Sequence, residues 1–335
     1  MQVSLYPYQL KFKHPFKIAH GKRSGTDVVF VKIEHDGFTA WGEAALPPYL
    51  DETQQSVIDF ISNFAKASAE EKIDTWFEKL NNSGTDNMAA KAALDIALWS
   101  LRAQTENKSI MQLAGIVPVS FPLCTYTLGV GTKSEMEQKI NEALDFGFEL
   151  FKLKLDGEQD EETINHFTKI CHKPYLADVN QGWKNAAQAI EKITWLAGRQ
   201  CIAVEQPLKK ELIDEMRPVK QNSPIPVYAD ESCQAIGDID KLKDSFHGIN
   251  IKLMKCGGIS PAIGMIKRAR QLGLQVLIGC MSESSVGCTA AANLTPLADY
   301  ADLDGPYLLA NDPFSGMHVE GGRIAIHNLV QVVEL

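Results

Sequence analysis

From residue 116 onward the chain repeats one pattern. Short β-rich runs begin near 120, 150, 175, 201, 227, 249, 275 and 300, and helix-forming stretches fill most of the gaps. The period is about 25 residues, enough for one strand and one returning helix. Eight strands alternating with helices predict a closed parallel barrel, an α/β fold of the (β/α)8 or TIM type. An open doubly wound sheet is the rival, and the even count and regular period favour the barrel. Active sites of such barrels lie at the C-terminal ends of the strands.

The first 115 residues read differently. Val28–Glu34 is β-rich but alternates only loosely, Asp36-Gly37 is a hairpin-type turn, and Phe38–Trp41 returns. Helical stretches follow at roughly 52–67, 70–80 and 86–104, the last apolar on most faces. Strands followed by helices predict an α+β domain over 1–115, beside a barrel over 116–310. The net charge of −9 argues against a nucleic-acid partner. There is no apolar run long enough to span a membrane, and the N-terminus lacks a signal peptide's apolar core. Seven scattered cysteines without CxxC read as reduced thiols, so a cytoplasmic location is expected.

The run ends carry the chemistry. In order they read Lys152-Leu153-Lys154, Asp178-Val179-Asn180, Glu205-Gln206-Pro207, Asp230-Glu231-Ser232 and Asn250-Ile251-Lys252. Side chains two apart on a strand share a face, so Lys152 and Lys154 point the same way. Asp178, Glu205 and Asp230 end three adjacent strands and converge. Three carboxylates stay ionised together only beside a cation, and oxygen-only ligands suit Mg²⁺. A substrate carboxylate on that metal places its α-carbon between Lys154 and Lys252, one strand before and one after the trio. Metal coordination stabilises the enediolate formed as the α-proton leaves. A lysine must be neutral to act as base, a form favoured by a nearby cation and partial desolvation. Two lysines on opposite faces allow a 1,1-proton transfer that inverts the centre.

Together these segments resemble the enolase superfamily in its muconate-lactonizing branch, over nearly the whole chain. The resemblance rests on KLK at 152–154, DVN at 178–180, EQP at 205–207, DES at 230–232 and NIKLMKCGG at 250–258. GEAA at 42–45 and the helix at 91–101 resemble that family's capping domain, and the resemblance implies that residues 311–335 return to the cap. It also implies Lys154 and Lys252 as the acid/base pair, Asp178, Glu205 and Asp230 as Mg²⁺ ligands, and Lys152 as a stabiliser of the enediolate.

The eighth run ends Asp302-Leu303-Asp304, similar to the dipeptide epimerases, in which such acids hold the substrate's α-ammonium. Two acids beyond the metal ask for a cationic substrate group in any case. Thr127, Cys280, Ser282 and Glu283, at the ends of the first and seventh runs, are expected to touch substrate. Glutamate-preferring members carry an Arg in the loop after the PFK segment, where Gly21 falls here, with Lys22 and Arg23 close by. The expected substrate is therefore an Ala-Xaa dipeptide with a small or apolar second residue rather than Glu. The alternatives are an o-succinylbenzoate synthase, an N-acylamino-acid racemase or a muconate cycloisomerase using the same site. A Schiff-base aldolase needs no carboxylate cluster, and a non-catalytic binding protein is expected to have lost a ligand or lysine. The oligomeric state stays open, a homo-oligomer included. Gly129-Val130-Gly131 lacks the third glycine of a dinucleotide loop, and Cys256 has no His partner that would mark a nucleophile.

Overall fold

The computed structural model describes residues 1–18, 21–48, 50–68, 70–326 and 330–335. Strands β1 (Gln2–Ile18), β2 (Gly21–His35) and β3 (Phe38–Leu46) form an antiparallel sheet in the order β1-β2-β3. The β2–β3 turn uses Asp36 and Gly37, both at positive φ as a two-residue hairpin of type I′ requires. The loose alternation of β2 has a physical cause. Val28, Val29, Phe30, Val31 and Ile33 are all fully buried, so both faces of this central strand are covered. The long β1 carries no such signal, because it is an edge strand with mostly part-exposed side chains.

Helices α1 (Gln54–Ser68) and α3 (Met88–Thr105) pack on this sheet, and α2 (Ile73–Asn81) packs on α3. Contact is closest where β3 crosses α3: a Cβ on Gly42 would lie 1.9 Å from the Ala93 carbonyl oxygen. The alanines of α3 and the bare Gly42 together permit that approach.

The barrel strands are β4 (Thr125–Leu128), β5 (Leu150–Lys154), β6 (Tyr175–Asp178), β7 (Cys201–Glu205), β8 (Val227–Ala229), β9 (Gly248–Lys252), β10 (Gln275–Gly279) and β11 (Tyr300–Asp302). They are parallel and neighbour one another in sequence order. The ring meets itself where Cys124 bridges Ala301 and the Ala301 amide donates to the Leu123 carbonyl at 3.1 Å. The first strand starts later than its apolar run, because Pro118 and Pro122 cannot donate to a ladder. Leu150, Leu176, Ala203, Tyr228 and Leu277 fill the lower layer of the ring. The Tyr228 ring takes the space where a Cβ on Gly248 would stand.

After β11 the chain runs back to the cap. The Ala310 amide donates to the Lys11 carbonyl at 2.8 Å, and the Phe314 ring sits 4.9 Å from Phe30 and 5.1 Å from Trp41. The hairpin His318–Glu320/Arg323–Ala325 departs from the expected return and lies against the start of β4, where Cys124 donates to Gly322. Among the described residues no helix is long and apolar enough to cross a membrane.

Candidate active site

Strand register sets the heights of the rim residues. Lys154 pairs with Asp178 and Asp178 with Glu205, while Gly279 pairs with both Lys252 and Asp302. These residues surround a cavity of about 470 Å³ at the C-terminal ends of the strands, which the cap covers with Phe12, Arg23, Leu50 and Asp51. Lys154 on the second barrel strand and Lys252 on the sixth stand four strands apart in a ring of eight, diametrically opposite.

The charges interlock. The Lys152 ammonium lies 2.9 Å from Asp178, 2.8 Å from Glu205 and 2.7 Å from Asp302. Lys154 donates to Asp178 at 2.6 Å, and Lys252 to Asp230 at 2.8 Å. Burial pushes Asp178 up, but Lys152 and Lys154 overcome it and hold the carboxyl at about 2. Lys252 and Lys255 likewise overcome burial and hold Asp230 well below the usual range. Glu205 goes the other way, to about 7, because burial and the neighbouring Asp178 outweigh Lys152. Burial opposes the charge of Lys152, but Asp178, Asp302 and Glu205 raise it well above an ordinary lysine.

Three residues absent from the sequence expectations hold this rim in place. The Gln206 amide, fully buried, accepts from the Asp230 and Ser232 amides and donates to the Leu208 carbonyl and the Ser232 hydroxyl. It thereby ties the ends of β7 and β8. Lys255 donates to Asp230 Oδ1 at 2.6 Å and to the carbonyls of Asp230 and Asn250. Asn250 donates to Glu205 at 2.8 Å. All three lie inside the quoted motifs, Gln206 in EQP at 205–207 and Asn250 and Lys255 in NIKLMKCGG at 250–258.

A metal requires some rearrangement. Among the described residues no three acidic or imidazole side chains stand ready around a common point, since lysines occupy the oxygens of Asp178 and Asp230. The donor set nevertheless fits Mg²⁺: three carboxylates end adjacent strands. Glu205 Oε2 is buried without a hydrogen-bond partner, because Lys152 approaches it at 2.8 Å without alignment.

The remaining expected residues divide. Thr127, Lys152, Cys280, Ser282, Asp302 and Asp304 line the cavity. Glu283 does not: it is fully buried behind the wall and accepts from the Met281 amide at 2.6 Å. Asp302 has both oxygens engaged, one by Lys152 and the other by the Thr125 hydroxyl at 2.6 Å. Asp304 accepts the Thr127 amide, and burial next to Asp302 pushes it up to about 7. Arg23 reaches the cavity wall, whereas residues 19 and 20 and the Lys22 side chain lie outside the described residues. Gly131 precedes an ordinary capping box, Thr132 with Glu135, and Cys256 is packed against local carbonyls.

A capped parallel barrel whose rim interleaves lysines and carboxylates defines an enzyme of the (β/α)8 class. Residues 2–115 match the family described as "Mandelate racemase / muconate lactonizing enzyme, N-terminal domain", and residues 135–327 match "Enolase C-terminal domain-like". The L-Ala-D/L-Glu epimerase of Bacteroides thetaiotaomicron is 38% identical over 98% of this chain and 86% of its own length. The L-Ala-D/L-amino acid epimerase of Flavobacterium johnsoniae is 32% identical, over 98% of each chain. The solved dipeptide epimerase of Enterococcus faecalis, complexed with Mg and L-Leu-L-Tyr, superposes with a TM-score of 0.88 at 29% identity, over 99% of this chain and 98% of that one. The chain belongs to the enolase superfamily and, within it, to the dipeptide epimerases, isomerases acting on amino-acid derivatives.

Proposed function

We propose that this protein epimerises the C-terminal residue of an Ala-Xaa dipeptide with Mg²⁺, using Lys154 and Lys252 as the two acid/base groups. The observation that carries the reading is the placement of these lysines directly across the cavity, with the carboxylates of β6, β7 and β8 between them. Asp178, Glu205 and Asp230 would hold the metal, which when bound supplies the electrophile that makes an α-proton beside a carboxylate removable.

This chain's own groups do the rest. One lysine enters the cycle neutral and takes the proton from its face. The other enters as ammonium and delivers a proton to the opposite face, so each turnover exchanges their protonation states. Lys152, fixed among Asp178, Glu205 and Asp302, keeps a permanent positive charge beside the carboxylate as negative charge develops. Asp304, less fully engaged than Asp302, receives the dipeptide's ammonium, and Thr127, Cys280 and Ser282 line its approach.

For Xaa, the apolar wall of Phe12, Leu50, Met281, Leu308 and Leu309 suits a small or apolar side chain. Arg23 in the same wall favours a second reading, an acidic side chain.

The test is α-proton exchange in D₂O with Ala-Leu and Ala-Glu. Lys154→Ala and Lys252→Ala should each stop epimerisation and exchange opposite epimers, and EDTA should abolish turnover until Mg²⁺ is restored. N-acetylation of the dipeptide should lower kcat/KM by at least about tenfold through the lost charged contact with Asp304. Exchange of the same epimer by both variants would sink the two-base arrangement. An acetylated dipeptide turning over as fast as the free one would favour an N-acylamino-acid racemase. Arg23→Met should penalise Ala-Glu alone if the acidic reading holds.

A further inference from the structure

Glu43 on β3 is a cap residue, yet its fully buried carboxyl is bound entirely by the barrel. It accepts from the Ser284 amide at 2.9 Å, the Ser284 hydroxyl at 2.6 Å and the Gly287 amide at 2.9 Å. Those donors form the N-terminus of the helix Ser285–Ala292, immediately after the cavity wall Cys280–Ser282. Glu283, also fully buried, satisfies one oxygen on the Met281 amide. Its Oε2 has no hydrogen-bond partner among the described residues. A Cβ on Gly287 would meet that oxygen at 2.3 Å and Glu43 Oε2 at 3.1 Å, so the two carboxyl groups converge on the same bare backbone. A buried acceptor facing a second buried carboxyl lacks only a proton.

We propose that Glu43 is a positioning residue that holds the cavity wall Cys280–Ser284 to the cap through a proton shared with Glu283. The surroundings support one retained proton. Burial and then Glu283 push Glu43 up to about 8, and burial pushes Glu283 up to about 7. Lys252 on β9 opposes this at Glu283 but does not overcome it. The other titratable neighbours are the thiols of Cys280 and Cys288, and burial pushes Cys288 well up. The Glu283 carboxyl, neutral, donates from its otherwise unpartnered Oε2 to Glu43 Oε2, while Glu43 goes on accepting from the Ser284 amide and hydroxyl and the Gly287 amide. The pair therefore fixes the wall without a second negative charge.

The wall serves dipeptide turnover only under the function proposed above, so the test has arms with and without catalysis. Glu283→Gln places an amide donor where the shared proton stands, facing Glu43. It should keep kcat/KM within about twofold, whereas Glu43→Ala, which frees the wall, should lower it by about tenfold or more. An infrared difference spectrum of wild type minus Glu283→Gln at about pH 6 should show the carbonyl band of one neutral carboxylic acid. The sign of the pH effect follows from the raised value. Stability contributed by Glu283 is present below its ordinary 4.5 and lost as pH rises through about 7, so wild type should weaken over that range more than Glu283→Gln. A Glu283→Gln variant as impaired as Glu43→Ala, or a spectrum without the acid band, would overturn the proposal. If wild type turns over no dipeptide, the spectrum and the stability curves still decide it.

Discussion

The rim of the barrel and the junction between cap and barrel both bury carboxyl groups completely, and they treat them in opposite ways. At the rim, Asp178 is held at about 2 and Asp230 well below its usual range. At the junction, burial pushes Glu43 to about 8 and Asp95 to about 7. The acids at the junction are not short of hydrogen bonds: Asp95 accepts the Ser260 hydroxyl at 2.5 Å and the Ser260 amide at 3.1 Å. Neutral donors do not offset the loss of water around a charge, whereas ammonium groups within 3 Å do. The rim is thus built for charge and the junction for neutral adhesion. Glu205 and Asp304 mark the limit of the rim's compensation. Five acids, Asp178, Glu205, Asp230, Asp302 and Asp304, face four lysines, and these two rise to about 7.

The largest break in this contrast should come from Lys152→Met. It removes the cation shared by Asp178, Glu205 and Asp302 and leaves buried charge unpaired, at a cost of about 3–5 kcal/mol. Denaturant unfolding near neutral pH reads this directly. An unchanged midpoint would show that the rim acids do not depend on Lys152.

A smaller effect is expected at Gln206. Gln206→Ala leaves the buried amides of Asp230 and Ser232 unsatisfied and should cost about 2–3 kcal/mol. It should also weaken Mg²⁺ binding measured by calorimetry, since Asp230 loses its fixed backbone. Loss of stability with metal affinity unchanged would assign Gln206 to folding alone.

The smallest effect sharpens the other side. Asp95 has a folded value of about 7 against an ordinary 3.8, so its contribution is present below the ordinary value and fades as pH rises through the folded one. Asp95→Asn should flatten that decline by up to ~1.4 kcal/mol per pH unit. Parallel curves for the two proteins would place Asp95 among the ionised acids, and the contrast between rim and junction would fail there.

The barrel was legible because each strand is a short local run and because its C-terminal residue is also its rim residue. The order Lys, Asp, Glu, Asp, Lys along the chain became the order around the ring, since successive parallel strands neighbour one another. The β1 strand was not legible, as an edge strand lacks the alternation that burial of one face imposes. Glu283 was misplaced for a related reason: a loop after a strand has no fixed period, so sequence gives no way to tell the wall from what stands behind it. The ion pair of Asp302 with Lys152 was not legible either, since it joins two strands 150 residues apart.

By itself, then, the sequence determined the barrel and the order of its charged strand ends, because local pattern and strand count fix height and order around the ring. Only the tertiary structure decided which cation neutralises which acid, and that Glu43 closes on Ser284, 241 residues away. Those choices depend on distances of a few ångströms between segments joined by no local rule, and in a buried, low-dielectric site such distances decide whether a carboxyl keeps its charge or its proton.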